Sequence, residues 1–159
     1  MKTTNDIDGL VMEDVKLVLK NFSGKEDKFN RAGDRNFAVL LDDRVAAELT
    51  ADGWAVKWFK IKNPDDEPQA FLKVKLNFKG RKPPLVVMIS SKGRTPLRED
   101  MVEMLDYVNM KTVDLIVRPY EWEAKGETGI SAYLQSIFVT LDENYLDRKY
   151  ADLEERNAE

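Results

Sequence analysis

The sequence contains no cysteine and no histidine. These absences exclude disulfide bonds, thiol nucleophiles and zinc sites of the Cys/His type. Without an imidazole the chain also lacks the acid/base group that most hydrolytic sites use. We therefore expect a protein that is not an enzyme, with no catalytic residue and no bound metal or cofactor.

Long hydrophobic runs are missing as well. No apolar stretch approaches the roughly 18 residues that a membrane-spanning helix needs, and Met1–Asp8 is polar, unlike a signal peptide. We expect a cytoplasmic protein that does not enter the membrane. A length of 159 residues fits one domain rather than two, so we predict a single domain over 1–150 and a disordered acidic tail over 151–159.

The chain also lacks a net positive charge, because its formal charge is −4. The distribution is nevertheless uneven. Residues 54–98 contain 11 Lys/Arg against 3 Asp/Glu, whereas residues 99–159 contain 6 against 15. A basic central segment is compatible with a nucleic-acid partner, although charge blocks of this kind also occur on ordinary solvated surfaces.

Most of the periodic segments alternate between apolar and polar residues, which is typical of half-buried β-strands. Leu85–Ser90 is instead nearly all apolar, as expected for a strand covered on both faces. Long antiparallel strands with few helices predict a mainly β fold, closed into a small barrel. The alternating segments are Val11–Phe22, Phe37–Leu41, Trp54–Lys62, Phe71–Phe78, Val113–Trp122 and Ile130–Leu141.

One or two short helices interrupt the predicted strands. Residues 43–51 follow a capping aspartate and end before Gly53, and residues 98–110 place apolar side chains at helical spacing. The glycine-containing, basic segment 23–36 predicts the loop of the first hairpin.

The last predicted hairpin contains the most informative pattern. Arg118, Tyr120 and Trp122 share one face of their strand by period two, so a cation and two aromatic rings are presented together. Pro119 cannot donate to a ladder and predicts a bend or an edge at this point. A bend in a barrel strand is one way to open a groove.

Two segments carry a resemblance to a known family. The pattern R-P-Y-x-W, followed by a glycine-containing turn and G-I-S-A-Y-L-Q-S-I-F-V, resembles the last hairpin of phage-type single-stranded DNA-binding proteins with an OB fold. The segment NFSGKEDKFNRAGDRNFAVLLDD is similar to that family's first hairpin. The resemblance implies an OB-type barrel, a place in the host cytoplasm, and DNA replication or recombination as the setting. It also implies an acidic C-terminal tail that recruits replication proteins.

A protein that binds single strands without sequence preference needs flat rings for the bases and flexible cations for the phosphates. Aromatic residues and Lys/Arg on the predicted strands and loops meet this requirement, with single-stranded DNA as the expected partner. The candidate residues are Arg31, Arg35, Lys57, Trp58, Lys60, Lys62, Lys73, Lys75, Arg94, Arg118, Tyr120, Trp122 and Tyr133. Phe29 and Phe71 are weaker candidates for stacking.

Each of these residues also has a purely structural explanation. Tyr and Trp are common in sheets, outward lysines protect sheet edges, and Arg31 and Arg35 could pair with acids in their own loop.

Two other functions compete with DNA binding. The chain could be a protein-interaction or structural β domain whose aromatic face is buried against a partner. It could also be a metal-dependent nuclease, since carboxylates alone can hold magnesium, but Asp65, Asp66 and Glu67 lie in a proline-flanked turn typical of solvated loops. The sequence leaves the oligomeric state open between monomer and dimer.

Overall fold

The computed structural model describes residues 1–144, 147, 149 and 150. The predicted tail, residues 151–159, lies outside the described residues. The α-helix α1 (Asp43–Ala51) and the 3₁₀ helix Val102–Asp106 accompany a mainly β fold. The strands are β1 (Lys2–Asp6), β2 (Gly9–Glu13), β3 (Leu17–Asn21), β4 (Arg35–Leu41), β5 (Val56–Trp58), β6 (Ala70–Leu76), β7 (Leu85–Ser90), β8 (Gly93–Pro96), β9 (Met110–Ala124) and β10 (Glu127–Leu141).

The β9–β10 hairpin is the longest element of the sheet. Its strands pair antiparallel from Ala124 opposite Glu127 to Met110 opposite Leu141, and the register shifts twice, between Leu134 and Ser136 and between Thr140 and Leu141. The sequence predicted both strands, because each alternates over most of its length. The hairpin therefore forms a long scaffold on which the other strands assemble.

The neighbours of β10 differ from the all-antiparallel arrangement that we expected. On the edge away from β9, β10 pairs in parallel with β6 and, farther along, with β7, so these two strands lie end to end. A parallel pair needs a crossover connection, and β8, the 3₁₀ helix and β9 supply it between β7 and β10. The full order is β1-β2-β9-β10-β6-β4-β3, with β5 beside β6 and β8 beside β7.

The barrel that we expected to be closed is not closed by hydrogen bonds. The first long strand of the prediction is broken into β2, which pairs with β9, and β3, which pairs with β4. Asp14 lies between them with a φ of 53°. Only single backbone bonds span the break, from Val15 N–H to Val113 O (3.0 Å) and from Leu40 N–H to Lys16 O (3.0 Å). The bent chain, rather than a continuous ladder, joins the two sides.

The core lies inside this curved sheet. Alternation sends Val113, Leu115 and Val117 of β9 inward, and Leu72 and Val74 of β6 face them from the other side. At the start of the first loop, the ring of Phe22 stacks on Phe37 with centroids 5.1 Å apart. Because the inward residues are apolar, the outward residues of the same strands are left to contact solvent or a ligand.

The first expected helix forms as α1, and its start is capped by a side chain. Asp42 accepts a hydrogen bond from the Val45 N–H at 2.8 Å, and Val45, Ala46 and Leu49 are buried against the sheet.

The second expected helix, 98–110, is wrong: the chain forms only the 3₁₀ turn Val102–Asp106. Lys20 of β3 donates from Nζ to the carbonyls of Leu105 (2.9 Å) and Val108 (3.1 Å). A lysine from another strand thus satisfies carbonyls that a longer helix would use for its own bonds. Of the residues that we expected to face the core, Leu105 is fully buried, Met101 and Val108 are partly buried, and Met104 is exposed. Apolar spacing alone does not specify the hydrogen-bond pattern.

Two further strands were not expected. β1 arises from the polar N-terminal segment and pairs with β2, and β8 follows β7 in the chain and pairs with it. None of the helices in the described part of the chain is long and apolar enough to cross a bilayer.

Candidate nucleic-acid interface

The outer face of the sheet aligns polar and aromatic side chains from distant parts of the chain. In the strand register, Arg118 of β9 lies opposite Tyr133 of β10, Tyr133 lies beside Lys75 of β6, and Lys75 lies opposite Asn36 of β4. The inner face at these strands is filled by the core, so this row points outward. The sheet therefore assembles a continuous row from four strands.

A groove of about 480 Å³ lies over part of this row. It is open to solvent, and residues of the first loop, β4, β6 and β10 line it. Five of the predicted site residues meet here: Arg31, Arg35, Lys73, Lys75 and Tyr133. The predicted residues thus bring four cations and one aromatic ring to the groove.

The aromatic side of the groove continues onto β9. The rings of Tyr133 and Tyr120 contact edge to face with centroids 5.7 Å apart, and Lys75 Nζ lies 5.8 Å from the centroid of Tyr133. The Tyr120 side chain is 58% exposed. Two rings that brace each other and remain accessible provide a surface on which a planar base can stack.

The lysines of the outer face are close enough to influence one another. Burial is the main cause that lowers the pKa of Lys73, and the positive charges of Lys57 and Lys75 lower it further. Lys57 lies opposite Phe71, whose ring packs against Phe59 with centroids 4.4 Å apart. Lysines held together on one face repel each other, and a bound anion would offset that repulsion.

The two arginines of the groove are held differently. Arg35 donates to the backbone carbonyl of Phe22, lies 5.8 Å from the centroid of Phe78, and forms an ion pair with Glu99 (3.8 Å). Arg31 projects into solvent with its side chain 93% exposed and pairs only loosely with Asp34, at 3.5 Å. Arg35 is therefore fixed in the groove wall, and Arg31 is a movable cation at its rim.

A network of asparagine side chains shapes the loop between β3 and β4. Asn30 donates from Nδ2 to the carbonyls of Lys25 (2.9 Å), Arg31 (3.1 Å) and Asp34 (2.9 Å). Its Oδ1 accepts a hydrogen bond from Asn36 Nδ2 at 2.9 Å. One amide thus fixes the curvature of the segment that carries Arg31 to the groove.

The start of the same loop is attached to the 3₁₀ helix. The Asp106 carboxylate accepts the backbone N–H of Phe22 (2.7 Å) and of Ser23 (3.1 Å). Lys25 Nζ also donates to the Tyr107 hydroxyl at 3.1 Å. These contacts hold the loop against the body of the protein.

None of the four predicted residues of the Trp54–Lys62 segment lines the groove, and Lys57 lies on the outer face beside it. Trp58 lies opposite Ala70 and so takes the core-side orientation of the strand, away from Lys57, although it is 50% exposed at the rim. The strand ends at Trp58, so Lys60 and Lys62 lie in the exposed segment that follows it.

Two predicted arginines lie elsewhere on the outer surface. Arg94 of β8 is stacked over Phe138, with its guanidinium carbon 5.5 Å from the ring centroid, at the far half of β10. Arg118 shares the row of Tyr133, but its guanidinium donates to the carbonyl of Lys82 at 2.9 Å and borders a separate pocket. Neither lines the groove.

Trp122 lies near the tip of the hairpin in acidic surroundings. It shares a pocket with Asp52, Glu121 and Glu123 rather than with cations. Its indole packs on Gly129, where an added Cβ would come within 2.5 Å of the ring. The glycine is required here because the ring occupies the space of a side chain.

Sequence reasoning missed several groove residues. Asn77, Phe78 and Lys79 line it, directly after β6. The signal for Lys79 was available, because the basic turn KGRKPP continues the lysines of β6. Phe78, at the end of the alternating segment Phe71–Phe78, both packs against the core and borders the groove.

The acidic turn considered for a nuclease has a structural explanation. Asp66 accepts the backbone N–H of Asn63 at 3.1 Å and so stabilises its own turn. Among the described residues, no group of three or more Asp or Glu is placed to hold a metal ion.

Comparison with known proteins gives one family and a set of solved structures. The family model of the phage ssDNA-binding domain matches residues 2–159. No curated protein is similar enough in sequence to be matched. A single-stranded DNA-binding protein from bacteriophage Enc34, solved in complex with ssDNA, has a similar structure, with a TM-score of 0.59 and 13% identity over 89% of this chain and 92% of that one. A C-terminal truncation of the Enc34 protein gives a TM-score of 0.56 and 13% identity, over 89% and 91% of the two chains.

Proposed function

Because this chain belongs to the family of phage ssDNA-binding domains, we propose that it binds single-stranded DNA without sequence preference, along the groove on the outer face of β4, β6 and β10. The bound strand stacks bases on Tyr133 and Tyr120 and places phosphates against Arg31, Arg35, Lys73 and Lys75. The protein acts as a binding protein and not as an enzyme.

The observation that carries this proposal is the convergence of the groove. The cations of the groove and the ring of Tyr133 are far apart in the sequence, between residues 31 and 133. The register of β4, β6 and β10 brings them together. Sheet stability does not require Lys57 and Lys75 to lie where their positive charges lower the pKa of Lys73. A row of phosphates would compensate that repulsion, and this favours an anionic polymer over an apolar protein surface.

The chemistry of the groove also explains the expected lack of sequence preference. Stacking uses the flat face that all bases share, and phosphate contacts carry no sequence information. A duplex hides its base faces inside the stack, so Tyr133 contacts only unpaired bases. Single strands should therefore bind more tightly than duplexes of the same length.

A titration tests the proposal directly. Fluorescently labelled single-stranded and duplex oligonucleotides of equal length are titrated with the full chain at two salt concentrations. We expect tighter binding of the single strand and weaker binding at high salt. Absence of binding at low salt would instead favour the protein-interaction domain that the sequence left open.

Charge reversal locates the site. Lys75→Glu should weaken single-strand binding at least about tenfold, because it replaces a phosphate contact with a repelling charge in the groove. Lys111→Glu makes the same change in net charge at an exposed position of β9 outside the groove, and serves as the matched control. Equal effects of the two variants would show that only net charge matters.

Family membership supports two further proposals. We propose an OB-type arrangement, in which β2 with β3, β4, β6, β10 and β9 surround the core as a partly open barrel. We also propose that the protein acts in replication or recombination of phage DNA in the host cytoplasm, with the acidic C-terminal segment contacting replication proteins. Pull-down of phage replication proteins by the full chain, compared with a chain that ends at Tyr150, tests the second proposal.

A further inference from the structure

Arg35 is held firmly in the wall of the groove, and its contacts determine how a ligand can approach it. One arm of the guanidinium donates to the Phe22 carbonyl, and the ring of Phe78 lies 5.8 Å from its central carbon. The side chain is only 20% exposed. Arg35 therefore cannot turn to meet a ligand, and a ligand has to approach the edge that is left.

A carboxylate already occupies that remaining edge. Glu99, from the segment between β8 and the 3₁₀ helix, lies 3.8 Å from Arg35 Nη2 and also lines the groove. Arg31 offers a contrast, because its side chain is 93% exposed and can move away from Asp34. Arg35 lacks that freedom, so a phosphate can contact its Nη2 edge only by taking the position of Glu99.

We propose that Glu99 is a resident competitor of DNA phosphate for Arg35, which lowers affinity and speeds release of the bound strand. This inference rests on the proposed function. Phosphate can replace Glu99 in this ion pair, because the distance between Arg35 and Glu99 is long and Glu99 is 50% exposed. Surface ion pairs of this kind are weak. The carboxylate is thus easily displaced, but it repels phosphate as long as it stays in the groove.

The proposal has a specific consequence for salt dependence. When phosphate replaces Glu99, the freed carboxylate attracts a cation from solution, and this uptake offsets part of the counterion release from DNA. Removing the carboxylate abolishes the uptake. The slope of log K against log salt should then become steeper, and the gain in affinity should be largest at low salt.

Glu99→Gln tests the idea with little change in shape. We expect about two- to fivefold tighter binding of a labelled single-stranded oligonucleotide at low salt, a slower dissociation rate, and a difference that shrinks as salt rises. The matched control is Glu48→Gln, which also breaks an exposed Arg–Glu pair, with Arg44 at 3.0 Å on α1, and changes the net charge equally. Glu48 does not line the groove.

The outcomes separate this inference from the function on which it rests. If the unmodified chain binds single strands but E99Q binds no more tightly than E48Q, the competitor role is wrong and the proposed function stands. If the unmodified chain binds no single strand, both are wrong. A gain in E99Q alone, with an unchanged thermal unfolding midpoint, supports the competitor role.

Discussion

Tyr133 is the ring at the centre of the groove, where it contacts Tyr120 on one side and Lys75 on the other. Tyr133→Ala should weaken single-strand binding by about 1–3 kcal/mol, because one stacking surface is lost. Since Tyr133 lies on the outer face, the variant should keep its unfolding midpoint in chemical denaturation. An affinity equal to that of the unmodified chain would show that bases do not stack at this position.

Trp58 provides the comparison, because it is an exposed aromatic that takes the core-side orientation of β5. Trp58→Ala should change the same oligonucleotide affinity by less than about twofold, since less than about 0.5 kcal/mol is typical of a surface change away from a site. A loss as large as that of Tyr133→Ala would place the DNA path over the rim.

Lys73 gives the binding a pH dependence. Its pKa is lowered, first by burial and then by Lys57 and Lys75, so it loses its charge at a lower pH than an ordinary lysine. As pH is raised, single-strand affinity should therefore begin to fall before lysines of ordinary pKa deprotonate. Lys73→Arg should remove this early decline, because arginine stays charged. Identical pH profiles would contradict the role of Lys73.

The same shift has the opposite sign for stability. A lysine whose pKa is lowered in the folded state binds protons more readily when unfolded, so its contribution to stability increases as pH rises through the lowered pKa. Binding and folding thus respond to this side chain in opposite directions.

The sequence could predict which face of a strand a site residue lies on, but not which tertiary contacts its side chain makes. Period two correctly separated Lys73 and Lys75 from the buried face of β6, because alternation determines the face of a strand. It could not show that Arg118 turns to the Lys82 carbonyl, nor that Arg94 stacks on Phe138. Those contacts depend on which strands become neighbours, and a single strand does not contain that information.

At the scale of elements, the 3₁₀ helix supports the first loop. The Asp106 carboxylate accepts two backbone N–H groups of that loop, from Phe22 and Ser23. Asp106→Ala should lower the free energy of unfolding by about 1–3 kcal/mol, because partly buried donors lose their partner. Glu103→Ala, an exposed change on the same helix, is the control for the denaturation measurement. Equal stabilities of the two variants would show that solvent replaces the carboxylate at no cost.

Elements with a long periodic pattern could be predicted from the sequence, whereas elements whose formation depends on tertiary contacts could not. The β9–β10 hairpin and α1 follow from alternation and from a capping aspartate. The short strand β8 and the break at Asp14 do not, because each depends on pairing with a partner strand. The predicted helix 98–110 forms only a 3₁₀ turn, and Lys20, remote in sequence, binds the carbonyls of Leu105 within that turn and of Val108 beyond it.

At the scale of the whole molecule, a net charge of −4 coexists with a cationic groove. If three to five phosphates contact the groove, log K against log salt should have a slope of about −2 to −3.5. A titration series from low to high salt measures it. A slope near zero would mean that the groove cations do not contact phosphates, whatever the affinity.

β6 and β7 lie end to end along β10, and residues 77–84, which connect them, do not pair with β10. Phe78 and Lys79 at the start of this segment form part of the groove wall, and near its end the carbonyl of Lys82 accepts a hydrogen bond from Arg118 of β9. Changing the length of this segment would therefore be a way to change how much DNA the groove contacts while the pairing of β6 and β7 with β10 is kept.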